Sequence, residues 1–370
     1  MTPTLSRGRF TALLGGLPLL LAATANAAAI ERILRRLVES GAVPAIAYSL
    51  GDGHTTLLEG AFGLRDVALR LAMEPSTRCA LASVSKQFAA AAIYLLQQRG
   101  ALGLEAPLSN YLPDYAYARD MTLAQVLTMR AGVAADDAAC ETPVGGRIDG
   151  ATLIRNLNLR KLDFTPGRYF AYTNCGYDVL GIVVARVSGM SYASFLAKNI
   201  FGPLGMTSSY VLLSRRDANF AHGYEPDGSG WKAAPATAAD AAFASGNLVS
   251  TVGDMQRWNR SLLGATLLTR ETLRRMFTVP TVAGAAHTHY ASGWFVEPTG
   301  VVWHGGTLAG YGTVNMLIPV AGYAITLLAN TGPSRRWKPE ETAREAYNAA
   351  ALGPPIPQLL KRTRSTAPSR

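Results

Sequence analysis

The chain has 370 residues, 49% hydrophobic and 16% charged, with 36 glycines and 20 prolines, a globular composition long enough for a large core and two lobes. Its net charge of +10 is concentrated at the ends: Arg7 and Arg9 stand in the N-terminal leader, and Lys361, Arg362, Arg364 and Arg370 in the C-terminal tail, neither of which contains an acidic residue. Without those six the body carries +4, which excludes a nucleic-acid-binding surface, and no basic helix or aromatic-plus-arginine cluster supplies one.

Residues 1–27 read as an export signal peptide: a positive start, an apolar run over residues 10–21, and the small-x-small site Ala25-Asn26-Ala27. The run is broken by Gly15, Gly16 and Pro18, the two arginines are not adjacent, and no cysteine stands at the cleavage point. The expectation is a periplasmic or secreted protein with neither a lipid anchor nor a stable membrane insertion. Residues 30–40 then read as an amphipathic helix, 45–50 as a strand, Gly51-Asp52-Gly53 as a turn and 55–59 as the hairpin partner.

A helix is expected over residues 81–100, ended by Gly100, with Ser83-Val84-Ser85-Lys86 in its first turn. Further helices are expected over residues 122–129, 178–187, 192–200, 254–263 and 269–277. Strands return at 301–303, 313–318 and 323–329, and a helix with Pro339 in its first turn closes the chain over 338–352. The fold class that follows is α+β: an antiparallel sheet formed by both chain ends, with flanking helices and an inserted, mostly helical lobe. The α/β lobe takes residues 28–76 and 283–352, the helical lobe 77–282, and a cleft between them is the expected site. Residues 353–370, rich in proline and basic side chains, read as a disordered tail.

The three cysteines, Cys79, Cys140 and Cys175, permit one disulfide and one free thiol, the pairing left open, with apolar packing the expected role of Cys175. His287-Thr288-His289 has metal-like spacing but no acidic or cysteine partner nearby, so no metal is expected.

Ser83 and Lys86 lie three apart and share a helix face, where a buried lysine can take the proton that makes a hydroxyl nucleophilic. The bland alternative makes Ser83 an N-cap and Lys86 a solvated lysine. Ser229-Gly230-Trp231-Lys232 has the same spacing in a glycine- and proline-bearing segment, and reads as chance. Tyr172-x-Asn174 adds a phenol that can shuttle a proton and an amide that can hold both a substrate carbonyl and a lysine. Trp303-His304-Gly305-Gly306-Thr307, at a strand end, lets a substrate lie against backbone, with the N–H of Thr307 as an oxyanion donor.

In this order, Ser83/Lys86, Tyr172/Asn174 and His304/Gly306 resemble the three motifs of the serine β-lactamase-like hydrolases: class C β-lactamases, low-molecular-weight penicillin-binding proteins, and their esterase and D-aminopeptidase relatives. The likeness extends to Tyr111-Leu112-Pro113, Phe201-Gly202-Pro203-Leu204-Gly205-Met206 and Gly246-Asn247-Leu248-Val249-Ser250-Thr251. It implies an acyl-enzyme on Ser83, proton transfer by Lys86 and Tyr172, and an oxyanion held by the N–H groups of Ser83 and Thr307. It also implies substrate orientation by Asn174 and no metal or organic cofactor.

Two departures stand out. His304 occupies the place where true class C β-lactamases and most penicillin-binding proteins have lysine, and a histidine with pKa near about 6.5 is largely neutral at neutral pH. This favours esters or small amides, such as D-amino-acid amides, over β-lactams. Leu127-Thr128-Met129-Arg130-Ala131-Gly132 stands where relatives usually read Leu-Thr-His-Thr-Ser-Gly. The expected partner is a small ester, amide or peptide substrate. The alternatives are a β-lactamase or DD-peptidase with the same machinery, or a non-catalytic cell-wall binding protein.

Overall fold

The computed structural model of the protein describes residues 16–135, 140, 149–212, 217–228, 230–235, 243–281, 289–352 and 354–356. The start of the leader, Ser229, His287 and residues 357–370 lie outside the described residues.

Both ends of the chain build one seven-stranded sheet. From the N-terminal side come β1 (Ala45–Asp52), β2 (Thr56–Asp66) and β3 (Leu71–Ala72). From the C-terminal side come β9 (Phe295–Val296), β10 (Val302–Leu308), β11 (Tyr311–Ile318) and β12 (Tyr323–Ala329). The order is β3-β2-β1-β12-β11-β10-β9, so the two halves meet where β1 pairs antiparallel with β12, Ile46 opposite Ala329. Helix α1 (Gly16–Glu39) and the closing helix α10 (Pro339–Ala350) cover one face, with Ile30, Leu34, Trp337 and Tyr347 between them and the sheet. On the other face α8 (Val252–Gly264) lies on β1 and β12, and its Trp258 stacks on Phe88 of α2 (Lys86–Gln98), ring centres 4.5 Å apart. With both faces covered, β1, β11 and β12 are buried at nearly every position rather than at alternate ones.

Strand β2 runs to Asp66, well past the expected end at residue 59. Its glycines serve close packing rather than a break: a Cβ at Gly60 would lie 2.4 Å from the Tyr48 hydroxyl, and Gly63, at φ +86°, sits against the carbonyl of Pro44. Between the two halves of the sheet run α3 (Leu123–Leu127), α4 (Gly150–Asn158), α5 (Asn174–Ser188), α6 (Tyr192–Leu196), α7 (Gly202–Leu204), α8 and α9 (Arg270–Met276). This middle also holds strands too short to show a period: β4 (Cys79–Ala80), β5 (Tyr210–Val211) and β8 (Leu248–Ser250) form a second sheet in the order β4-β8-β5. β6 (Tyr224–Asp227) and β7 (Gly230–Ala233) form a hairpin, so Lys232 of the second Ser-x-x-Lys lies on a strand, with no helix to align it.

Three expectations are revised. Cys175 does not merely pack: it is disulfide-bonded to Cys140, and Cys79 is the buried free thiol. The helix expected from residue 30 begins at Gly16. Of the segment read as a tail, Ile356 is docked, its side chain against the α1/α10 core and its N–H on Asn348 Oδ1 at 3.1 Å. Among the described residues no single helix is long and apolar enough to cross a membrane.

Candidate active site

Ser83 lies in a single 3₁₀ turn (Ala82–Ser85) that leads directly into α2. Ala82 has φ +49°, a region that costs an L-residue about 1–3 kcal/mol unless its surroundings impose it. Here they do. The Leu81 N–H donates to Leu248 O at 2.8 Å, and Thr313 Oγ1 on β11 donates to Leu81 O at 2.8 Å. Ser83 lies inside that turn, with Leu81 at the N-cap of the turn and Ser85 at that of α2, so the N-cap reading fails, and Ser83 remains partly open to solvent.

Lys86 is completely buried, which removes the solvated-lysine reading. Its Nζ has three oxygen neighbours: Asn174 Oδ1 at 2.7 Å, Ser245 O at 2.9 Å and Ser83 Oγ at 3.1 Å. Two of these are carbonyl oxygens, which only accept; the hydroxyl can accept or donate. An ammonium therefore satisfies all three contacts, and so does a neutral amine whose lone pair faces the Ser83 O–H. The proton that changes hands between those two states is the one on the Ser83–Lys86 line.

Asn174 is the first residue of α5, whose N-cap Thr173 accepts from Gly176 N–H and donates to Ala134 O at 2.9 Å. This cap fixes where Tyr172 leaves the helix. The Tyr172 ring covers Lys86, with Nζ 4.9 Å from its centre, and the ring is half-buried, leaving it an open side.

Strand β10 forms the opposite wall. A Cβ on Gly306 would lie 2.4 Å from Leu81 O and 3.0 Å from the Ala82 Cβ, so this glycine lets the strand press against the backbone entering Ser83. The next residue, Thr307, is exposed beside that turn. Strand β9 pairs with Val302 and Trp303, and among the described residues no strand pairs with the outer edge of 304–308.

His304 is in the cluster but not in the open cleft. It is 1% exposed and packed among Tyr172, Tyr290 and Phe295, its ring centre 6.0 Å from that of Tyr172. Its Nδ1 lies 2.6 Å from Gly305 O, a carbonyl that can only accept, so Nδ1 carries the hydrogen. Nε2 then accepts from the Tyr290 hydroxyl at 3.2 Å. Burial, and after it the nearby Lys86 charge, push its pKa down to about 3. His304 is thus a neutral wall residue rather than a side chain exposed for direct substrate contact.

All seven residues singled out in the sequence, Ser83, Lys86, Tyr172, Asn174, His304, Gly306 and Thr307, converge on the start of α2. Sequence reasoning missed four supporting groups. Ser245 supplies the carbonyl for Lys86, and Asp178 Oδ1 holds the Ser245 N–H at 2.8 Å. Tyr290 donates to the His304 Nε2 that this tautomer leaves as an acceptor, and Thr313 ties β11 to Leu81. The contacts of Ser245, Asp178 and Thr313 span 67 to 232 residues of sequence, beyond any local pattern, and that of Tyr290 spans 14. Among the described residues no cluster of histidine, cysteine, aspartate and glutamate could hold a metal ion.

A serine and a buried lysine at a helix start are faced by a Tyr-x-Asn loop and a glycine-bearing strand, the arrangement of a β-lactamase-like fold. The chain belongs to the Beta-lactamase family, whose model matches residues 30–349. Protein flp of Staphylococcus aureus (strain N315) is 26% identical over 314 residues, covering 81% of this chain and 62% of its own. The chain thus spans less than two thirds of that relative. The octameric penicillin-binding protein homologue from Pyrococcus abyssi superposes with a TM-score of 0.76 at 25% identity, covering 90% of this chain and 80% of its own. The D-amino acid amidase from Ochrobactrum anthropi SV3, complexed with L-phenylalanine amide, gives 0.73 at 21% identity, covering 92% and 99%.

Proposed function

We propose that the protein is an exported hydrolase that cleaves esters or small amides, D-amino-acid amides among them, through an acyl-enzyme on Ser83. The observation that carries the reading is the set of contacts at Lys86 Nζ, which leaves the Ser83 proton as the one that can move. Ser83 Oγ attacks the carbonyl carbon while its proton passes to the Lys86–Tyr172 pair. The backbone N–H groups of Ser83 and Thr307 receive the oxyanion. The pair returns the proton to the departing alkoxide or amine, and water then releases the acid by the same route in reverse. Asn174 holds Lys86 with its Oδ1 and orients the substrate.

The neutral, buried His304 supports esters and amides over β-lactams, since it offers no cation to a β-lactam carboxylate. Export rests on the leader, and sequencing the N-terminus of protein recovered from an expressing cell tests it, with Ala28 the expected first residue. The function is tested with nitrophenyl acyl esters, D-alanyl and D-phenylalanyl amides and a chromogenic cephalosporin, on wild type and Ser83→Ala. Ester or amide turnover that disappears in Ser83→Ala, with little cephalosporin hydrolysis, supports the reading. Cephalosporin as the better substrate makes the protein a β-lactamase, and turnover retained in Ser83→Ala removes the acyl-enzyme.

A further inference from the structure

Arg130, one of the residues that depart from the resembling motif, lines a cavity of about 440 Å³ that none of the seven active-site residues touches. Its size is that of a small-molecule pocket. Tyr94, Leu104, Glu105, Arg275 and Ser292 share its wall, so it lies along α2 beyond Lys86. Its charges are unbalanced. Glu105 meets Arg275 only as a mostly exposed pair at 3.8 Å, and Arg130 has no ion pair among the described residues. Arg130 Nη2 donates to Gly167 O at 2.7 Å, but its Nε is buried with no hydrogen-bond partner among the described residues. Partial burial lowers the Arg130 pKa. A guanidinium in that state presents a planar fork suited to a carboxylate, and the Tyr94 ring and Leu104 supply apolar surface.

We propose that this cavity is a second binding site, separate from Ser83, for a small organic carboxylate with an apolar body, held by Arg130 and Arg275. Its back wall is joined to the catalytic loop. The Gly167 N–H donates to Arg130 O at 2.7 Å, and the Ala171 N–H to Met129 O at 3.1 Å, immediately before Tyr172. A carboxylate on Arg130 therefore braces the loop that carries the phenol.

Calorimetric titration of the full-length Ser83→Ala protein with phenylacetate and with N-acetyl-D-alanine tests the site without requiring any activity. The expected result is saturable binding of at least one acid, weakened about tenfold or more by Arg275→Gln and by Arg130→Gln, with the matching primary amide about tenfold weaker. Arg275 is on the surface, so Arg275→Gln keeps the test valid if Arg130→Gln does not fold. No saturable binding of either acid, equal binding of acid and amide, or affinity unchanged in Arg275→Gln overturns the proposal.

Discussion

Tyr290 hydrogen-bonds His304 Nε2 at 3.2 Å, on the side of the ring away from the Gly305 carbonyl that holds Nδ1–H at 2.6 Å. Between them the two contacts fix the neutral ring, where a lysine would have put a cation against Tyr172. Protonating His304 places a second hydrogen on Nε2, facing the phenol and close to Lys86. The native pKa of about 3 lies below the unfolded value, so the unfolded chain binds more protons between about pH 3 and 6.5. The stability contributed by neutral His304 is complete above about pH 6.5 and is lost as pH falls toward about 3. Thermal melts of His304→Gln should show a shallower acid limb than wild type across that window. The wild-type pH–rate profile should show no ionisation of this histidine near neutrality.

Gly306→Ala drives a methyl into Leu81 O and Thr313 Oγ1, at 2.4 and 2.3 Å. Overpacking of this kind costs about 1–3 kcal/mol, and shifting the strand by about 1 Å can lower turnover about a hundredfold. A variant that folds, shown by circular dichroism, should lose kcat well beyond its loss of stability. Gly305→Ala is the control, because its nearest neighbours are 3.6 Å away.

Asp178→Ala frees the Ser245 N–H and loosens the peptide whose carbonyl receives Lys86. Leaving a buried donor unpaired costs about 1–3 kcal/mol of stability. Asp178 touches no reacting atom, so kcat should fall about tenfold or more while KM changes little, and Asp178→Asn, which keeps an acceptor, should recover most of the loss.

The Cys140–Cys175 link closes a span of 35 residues onto the first turn of α5, next to Asn174. Chain entropy assigns such a loop about 3–4 kcal/mol. Reduction, or Cys140→Ser, should lower Tm and reduce turnover together. The remaining thiol, Cys79, is wholly buried and its pKa is pushed up to about 12 by burial, so the native oxidised protein should resist alkylation at this residue.

The candidate cluster was legible wherever chemistry is written locally. Ser83 and Lys86 share a turn, Tyr172 and Asn174 flank an N-cap, and Gly306 follows His304 on a strand. The same was true of the sheet, because 323–329 and 45–50 are apolar runs bounded by turn residues. What escaped was set by contacts between distant segments. Strand β2 runs past its expected end at residue 59 because Gly60 and Gly63 pack against Tyr48 and Pro44. Strands of two or three residues, such as Cys79–Ala80 and Leu248–Ser250, carry no period, yet they align Ser85 Oγ to receive the Leu248 N–H at 3.1 Å. The ordinary histidine pKa already favours a neutral His304, whereas the actual cause, burial against Tyr290 and Phe295, belongs to the fold.

The most direct test of the account is the rate and position of covalent labelling by a fluorophosphonate, mapped by mass spectrometry on wild type and on Lys86→Ala. A single adduct on Ser83, forming about a hundredfold or more slower in Lys86→Ala, is the predicted result. An adduct on another serine, or equal rates in the two proteins, would contradict it.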